Sequence, residues 1–311
     1  MHPALSSVCR KADIMAIEKS TKKIKRRFGD RTEGRRVRTV SPMARVSPYL
    51  MRTRNTSSNY IRDEIDTTKI DQYIKEKKAK GMAGFNIMYI LIAAYIRTLS
   101  QYPGLNRFIA GQEIYARHNI EICLTIKKEM DLQSPDTVIK AEFEPDATAE
   151  EVYEKISKII EEYRNAPGGS FDGTTKILSV LPGFLLKFVA ELLYMMEYFW
   201  GLPRFLSRLS PFHGSFFITS MGSLGIPPIY HHLYDFGNVP VFMSFGAKEH
   251  RYEVQADGTV KHVPVVGFTV VMDERTVDGF YYATALRYMK RIYRNPHMLD
   301  ERPETIVEDI P

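Results

Sequence analysis

Along the chain the apolar positions switch between a period of two and a period near 3.6, and the switches mark the elements. Residues 57–66 (SSNYIRDEID) read as a strand and residues 67–78 as an amphipathic helix ending near Gly81. Residues 85–100 (FNIMYILIAAYIRTLS) are apolar nearly all round, as a helix buried on every side must be, and Pro103-Gly104 stops them. Short apolar runs at 114–116, 120–127 and 138–143 read as strands. Thr148 and Glu151 have the spacing of a capping box ahead of Val152, Ile156, Ile159 and Tyr163, which recur at helical intervals. Strand patterns return at 239–245 and 263–274, joined by a hairpin turning at Asp257-Gly258. The last helix runs from Asp278, a good N-cap, to about Arg294, with Pro296 beyond it. Strands and helices mix without a strict βαβ period, which predicts an α/β two-layer sandwich with a mixed β-sheet.

The segment 177–205 is the most hydrophobic of the chain. Lys187, Glu191 and Glu197 interrupt it and Pro182 and Pro203 bracket it, so it lacks the uncharged run a membrane span needs. On a helical projection Lys187, Glu191, Tyr194, Glu197 and Tyr198 share one side, and Leu185, Phe188, Val189, Leu192, Met195, Met196, Phe199 and Trp200 fill a wide opposite arc. That arc calls for a cover: the parent domain, a sister subunit, or a peripheral membrane contact.

Charge divides the chain. Residues 1–62 hold 16 Lys and Arg against 4 Asp and Glu, so the whole positive excess of the 311-residue chain is N-terminal. Residues 1–40 therefore read as a basic arm, and residues 41–311 as one domain carrying a hydrophobic helical insertion at about 167–212. No nucleic-acid fold motif accompanies the arm, so a nucleic-acid partner is not expected. Cys9 and Cys123 are too far apart and too few for a disulfide scaffold, and the first thirty residues lack a signal-peptide core. A cytoplasmic protein, with membrane-peripheral contact as the one variation, is the expectation.

Several catalytic patterns fail. Met221-Gly222-Ser223-Leu224-Gly225 lacks the glycine two residues before the serine that a nucleophile elbow needs. There is no P-loop, no dinucleotide fingerprint and no metal-ligand spacing, so no metal is expected. His231-His232 ahead of Asp235 approaches an HHxxxDG pattern but misses its spacing. A cleaner DG ending lies in Asp273-Glu274-Arg275-Thr276-Val277-Asp278-Gly279, where a strand hands over to the last helix.

With FFITSMGSLGI, VPVFMSFG and DERTVDGFYYATALRYMKRIYRNP in that order, after EIDTTKI and QYPGLN, the chain from about Arg45 to Pro296 resembles the catalytic domain of the acyltransferase component of 2-oxo acid dehydrogenase complexes and, more distantly, chloramphenicol acetyltransferase. The resemblance implies a chloramphenicol acetyltransferase-like fold and a homotrimer whose sites lie between subunits. It also implies acyl-coenzyme A as co-substrate and a small-molecule acceptor bearing a thiol, hydroxyl or amine. In that family the second residue of DHRxxDG is a His acting as general base, and a Ser or Thr in the ITS-like strand steadies the oxyanion. By position Thr219 matches the hydroxyl, with Ser220 beside it, and Asp278 matches the structural Asp, which Arg52 or Arg54 would pair. The lipoyl domain that precedes this domain in the complexes has no counterpart, so no lipoyl attachment site is expected and membership of such a complex is not.

Glu274 stands where the family has its His. Proton transfer from a thiol costs about 2.7 kcal/mol to a His and roughly 5.7 to an unperturbed Glu, a gap that burial of a carboxyl closes. With period two, Val266, Phe268, Val270, Met272 and Glu274 share a face, and Thr269, Asp273 and Arg275 share the other. Three readings stand open: Glu274 as a tuned base, a trimeric binding or scaffold subunit that has lost acyl transfer, and Glu274 in a structural ion pair. His213, His231 and His232 are the other candidates for the base.

Overall fold

In the computed structural model, which describes residues 27–127, 136–165 and 179–309, the elements follow in the order β1 (Gly34–Arg36), α1 (Pro42–Leu50), β2 (Ser58–Asp66), α2 (Thr68–Ala79), α3 (Ile87–Gln101), β3 (Arg107–Ala110), β4 (Glu113–Arg117), β5 (Ile120–Lys127), β6 (Asp136–Phe143), α4 (Ala149–Asn165), α5 (Gly183–Phe199), α6 (Arg204–Leu209), β7 (Phe216–Ser220), β8 (Val241–Val254), β9 (Val260–Asp273) and α7 (Gly279–Arg294). The chain divides into residues 1–30 and residues 31–311. Of the first unit, residues 27–30 are described, a turn closed by Asp30 N donating to Arg27 O at 3.1 Å.

The basic arm expected over residues 1–40 gives way to folded chain earlier than that. β1 pairs antiparallel with β4, and Val37 N donates to Ile114 O at 2.9 Å, so residues 34–37 are fixed by backbone hydrogen bonds. β1, β4 and β3 form a three-stranded sheet. The other strands form a six-stranded sheet in the order β2-β9-β8-β7-β5-β6. β7 runs parallel to both β5 and β8 and the remaining pairs are antiparallel, which gives the mixed sheet that the sequence predicts.

The two faces of that sheet differ as the period of two requires. Ile122, Leu124, Phe216, Ile218, Met243, Phe245, Phe268 and Val270 point to one side, where α2, α3, α4 and α7 cover them in one core. At the centre lies α3, buried from Tyr89 through Ser100, with Asn86 capping it by accepting from Met88 N at 2.9 Å. Each large aliphatic side chain buried there contributes about 1.5–3 kcal/mol. The capping box of α4 forms as its spacing predicts: Thr148 N donates to Glu151 Oε2 at 2.8 Å and Glu151 N to Thr148 Oγ1 at 3.3 Å.

The opposite face is covered in part by the β7–β8 connection, and Ser207 of α6 reaches it by accepting from Lys140 Nζ through its carbonyl at 2.8 Å. Cys123, Phe217, Phe242 and Val271 pack there under Leu233 and Val239 of the β7–β8 connection. Gly246 lets that connection approach, since a Cβ at this position would stand 2.5 Å from Pro228 Cδ.

Candidate active site

Register places the candidate hydroxyl. Thr219 lies level with Ser244 on β8 and, through it, with Thr269 on β9, all on the face opposite the helices. Ser244 and Thr269 are buried and engaged with the connection: Ile229 N donates to Ser244 Oγ at 3.3 Å, and Thr269 Oγ1 donates to Ile229 O. Thr219 is half-buried and its hydroxyl makes no hydrogen bond among the described residues; the same holds for the Ser220 hydroxyl. An oxyanion donor needs a hydroxyl free of internal partners in this way.

Glu274 sits elsewhere. β9 ends at Asp273, so Glu274 follows the apolar row instead of closing it, and its backbone N donates to Ser57 O at 2.9 Å. It lies five residues past the Thr219–Ser244–Thr269 row and two strands over, or about 16 Å along the strands and 10 Å across them. Within one chain Glu274 and Thr219 do not meet. The Glu274 side chain is half-buried and has no ion-pair or hydrogen-bond partner among the described residues.

The ion pair of this region belongs to its neighbours. Arg275 Nε and Nη2 donate to the two Asp273 oxygens at 2.8 and 2.7 Å, and both side chains are almost wholly buried. Arg275 Nη1 also donates to Met51 O at 2.9 Å, tying the strand end to the segment before β2. Arg54 is buried too, and its guanidinium donates to Gly237 O at 2.5 Å and to Val239 O. Burial lowers its pKa and the nearby Asp273 carboxylate opposes that shift. Asp278 is exposed and caps α7, its Oδ1 accepting from Tyr281 N at 2.8 Å. Neither Arg54 nor the exposed Arg52 pairs with Asp278 in this chain: Arg54 serves carbonyl groups, and Arg52 contributes only its backbone oxygen, 3.5 Å from Arg275 Nη1.

The histidines divide sharply. His213 is buried, with Nδ1 2.8 Å from Ser210 Oγ and Nε2 3.2 Å from Glu197 Oε1, so both nitrogens are engaged inside the protein. Nearby, Asn238 Nδ2 donates to Glu33 Oε2 at 2.6 Å and Arg117 Nη2 to Asn238 Oδ1 at 2.7 Å. Burial pushes the Glu33 carboxyl up, but the Arg117 and His213 charges and the bonds to it outweigh burial and leave it below the usual carboxylate range. His232 is exposed. His231 lies flat on Phe242, ring centroids 3.8 Å apart, which puts it on the Thr219 face two residues down β8 from Ser244. Burial pushes its pKa down, which favours the neutral, proton-accepting imidazole.

The hydrophobic insertion takes an orientation that amphipathicity alone does not predict. Residues 166–178 lie outside the described residues; α5 and α6 are described. The Glu197 carboxylate accepts from Gly237 N at 3.2 Å and faces His213, Arg31 donates to the carbonyls of Glu197 and Tyr198, and Tyr198 OH donates to Gln112 Oε1 at 2.6 Å. These polar contacts turn Glu197 inward, and most of the apolar arc faces outward: Phe188 is 64% and Phe199 63% exposed, while Val189 and Met196 are half-buried. The helical projection groups Glu197 with Lys187, Glu191, Tyr194 and Tyr198; no local pattern marks it as the tether.

Among the described residues no helix is long and apolar enough to cross a membrane. No family model and no curated protein matches the chain. Solved structures do. A probable dihydrolipoamide acetyltransferase of Listeria monocytogenes 4b F2365 aligns at 17% identity and a TM-score of 0.54 over 81% of this chain and 88% of its own. The dihydrolipoamide acetyltransferase of Azotobacter vinelandii aligns at 13% and 0.54 over 84% and 93%. A truncated catalytic core of the 2-oxoacid dehydrogenase multienzyme complex of Thermoplasma acidophilum gives 15% and 0.50 over 83% and 97%. The mixed sheet, its helical layer and these three alignments together show that the chain has the acyltransferase-like fold of the 2-oxo acid dehydrogenase catalytic cores.

Proposed function

We propose that the protein is a homotrimeric acyltransferase that takes an acyl group from coenzyme A to a small acceptor, with Glu274 of one protomer facing Thr219 of the next. The observation that carries this reading is the separation of two polar groups without partners, a half-buried carboxylate past the end of β9 and a half-buried hydroxyl on β7, too far apart to serve one site except across a subunit boundary. Glu274 takes the proton from the acceptor thiol, hydroxyl or amine, and the freed nucleophile attacks the thioester carbonyl. Thr219 donates to the tetrahedral oxyanion. The carbonyl reforms as the C–S bond breaks, and the proton passes from Glu274 to the departing coenzyme A thiolate. No covalent enzyme intermediate is needed.

A second reading assigns the base to His231, which already lies on the Thr219 face and whose pKa burial pushes down. Thiol release from acetyl-coenzyme A, measured with dithiol, alcohol and amine acceptors, decides between them. Glu274→Gln is expected to slow turnover roughly 100-fold or more, the ordinary contribution of a general base, and His231→Gln to leave it within a few-fold. The reverse pattern selects His231. Coenzyme A binding with no turnover of any acceptor replaces both with a trimeric binding subunit.

A further inference from the structure

The outward arc of α5 is the least explained surface of the molecule. Phe184, Phe188, Leu192, Met195 and Phe199 recur at helical spacing and form one stripe opposite Glu197, the residue that ties the helix to the protein. No residue of α5 is buried, so the helix stands out as a ridge. Past the helix, Trp200, whose ring lies 5.6 Å from that of Phe199, and Phe205 are 68% and 63% exposed. Contiguous apolar surface of this kind marks a contact site.

We propose that this ridge docks on an anionic lipid surface, lying in the headgroup region with its stripe toward the acyl chains. Charge selects that occupant. Lys187 on α5 and Arg204 and Arg208 on α6 are exposed, against the one exposed acid of these two helices, Glu191, and none of the three cations is in an ion pair among the described residues. A cationic border around an aromatic stripe is the pattern of an interfacial helix: apolar side chains enter the acyl boundary, Lys and Arg meet lipid phosphates, and Trp and Tyr sit at the level between. Tyr194 and Tyr198 flank the stripe on the Lys187 side, turned toward the protein by the edge-to-face contact of Tyr194 with Phe236 and the Tyr198 hydroxyl bond to Gln112. The helix, at 17 residues, is not long and apolar enough to cross the bilayer. Tethering through Glu197 and the Arg31 bonds to the last carbonyls of α5 presents the ridge without unfolding anything beneath it.

Flotation of the full-length chain with phosphatidylcholine vesicles, with and without phosphatidylserine, tests this. The protein is expected to float with the mixed vesicles, less with phosphatidylcholine alone, and less as salt rises. The double variant Phe188→Asp/Phe199→Asp is expected to float at least tenfold more weakly, with its far-UV spectrum and elution volume unchanged, because both side chains are exposed. A second variant, Lys187→Glu/Arg204→Glu/Arg208→Glu, is expected to lose the phosphatidylserine dependence. The proposal is overturned if the wild-type chain does not float. It is equally overturned if the aspartate variant floats as well as wild type, which would place binding on the basic N-terminal residues. A wild-type chain that stays off vesicles, with an aspartate variant that elutes as a smaller species, would make the ridge a contact between copies of the chain.

Discussion

Glu197 Oε1 on α5 lies 3.2 Å from Nε2 of His213, just ahead of β7, and this contact holds a largely apolar helix by its polar edge. The other imidazole nitrogen meets Ser210 Oγ, so the ring bridges the insertion to the strand that carries Thr219. His213→Ala leaves the Glu197 carboxylate without its side-chain partner. Urea unfolding is expected to show a loss of about 1–3 kcal/mol, and hydrogen exchange is expected to rise first in α5.

The Asp273–Arg275 pair supports the strand end that presents Glu274. Asp273→Asn leaves a buried guanidinium uncompensated and is expected to cost roughly 3–5 kcal/mol by denaturant unfolding. Replacing both residues by apolar ones of similar volume is expected to cost far less, since no charge is then left buried.

Asp300 gives the protein an acid limb. Burial pushes this carboxyl up, but Lys77 Nζ at 2.7 Å, Tyr73 OH at 2.6 Å and His297 Nδ1 at 3.2 Å outweigh it and hold it below its ordinary value. A carboxyl whose folded pKa is depressed contributes stability above its unfolded pKa, about 3.9 for Asp, and loses it as pH falls through the folded value. Asp300→Asn is expected to flatten the fall in melting temperature below about pH 4.

Burial in the sheet pushes the Cys123 thiol up to about 11. Thiolate is the reactive form, so native Cys123 is expected to resist alkylation at pH 8 and to be modified rapidly in urea.

What the sequence makes legible follows how local each cause is. The uninterrupted apolar run of α3, the Thr148–Glu151 box and the Asp278 cap are encoded within a few residues, and all three form. Alternation along β9 puts Val266, Phe268, Val270 and Met272 on the helix side and Thr269 and Val271 on the other, as a period of two dictates. Glu274 leaves that series because the strand ends one residue earlier, where Ser57 O captures its N–H. The direction of α5 depends on Glu197 meeting His213, sixteen residues away, and on Arg31 reaching its carbonyls from the start of the folded unit. Arg54 likewise finds Gly237 and Val239, contacts between segments far apart in the chain. Helical periodicity reports that a face is apolar; it does not report which face the rest of the protein can hydrogen-bond.

Subunit mixing tests the central claim most directly. Glu274→Gln and Thr219→Ala chains are each purified, shown to be inactive in acetyl-coenzyme A thiol release, then unfolded together at equal concentration and refolded. If the site is shared between neighbouring protomers of a trimer, activity is expected to return to roughly a quarter of wild type, the share of interfaces that pair a native Glu274 with a native Thr219. A mixture as inactive as its two components would contradict the account.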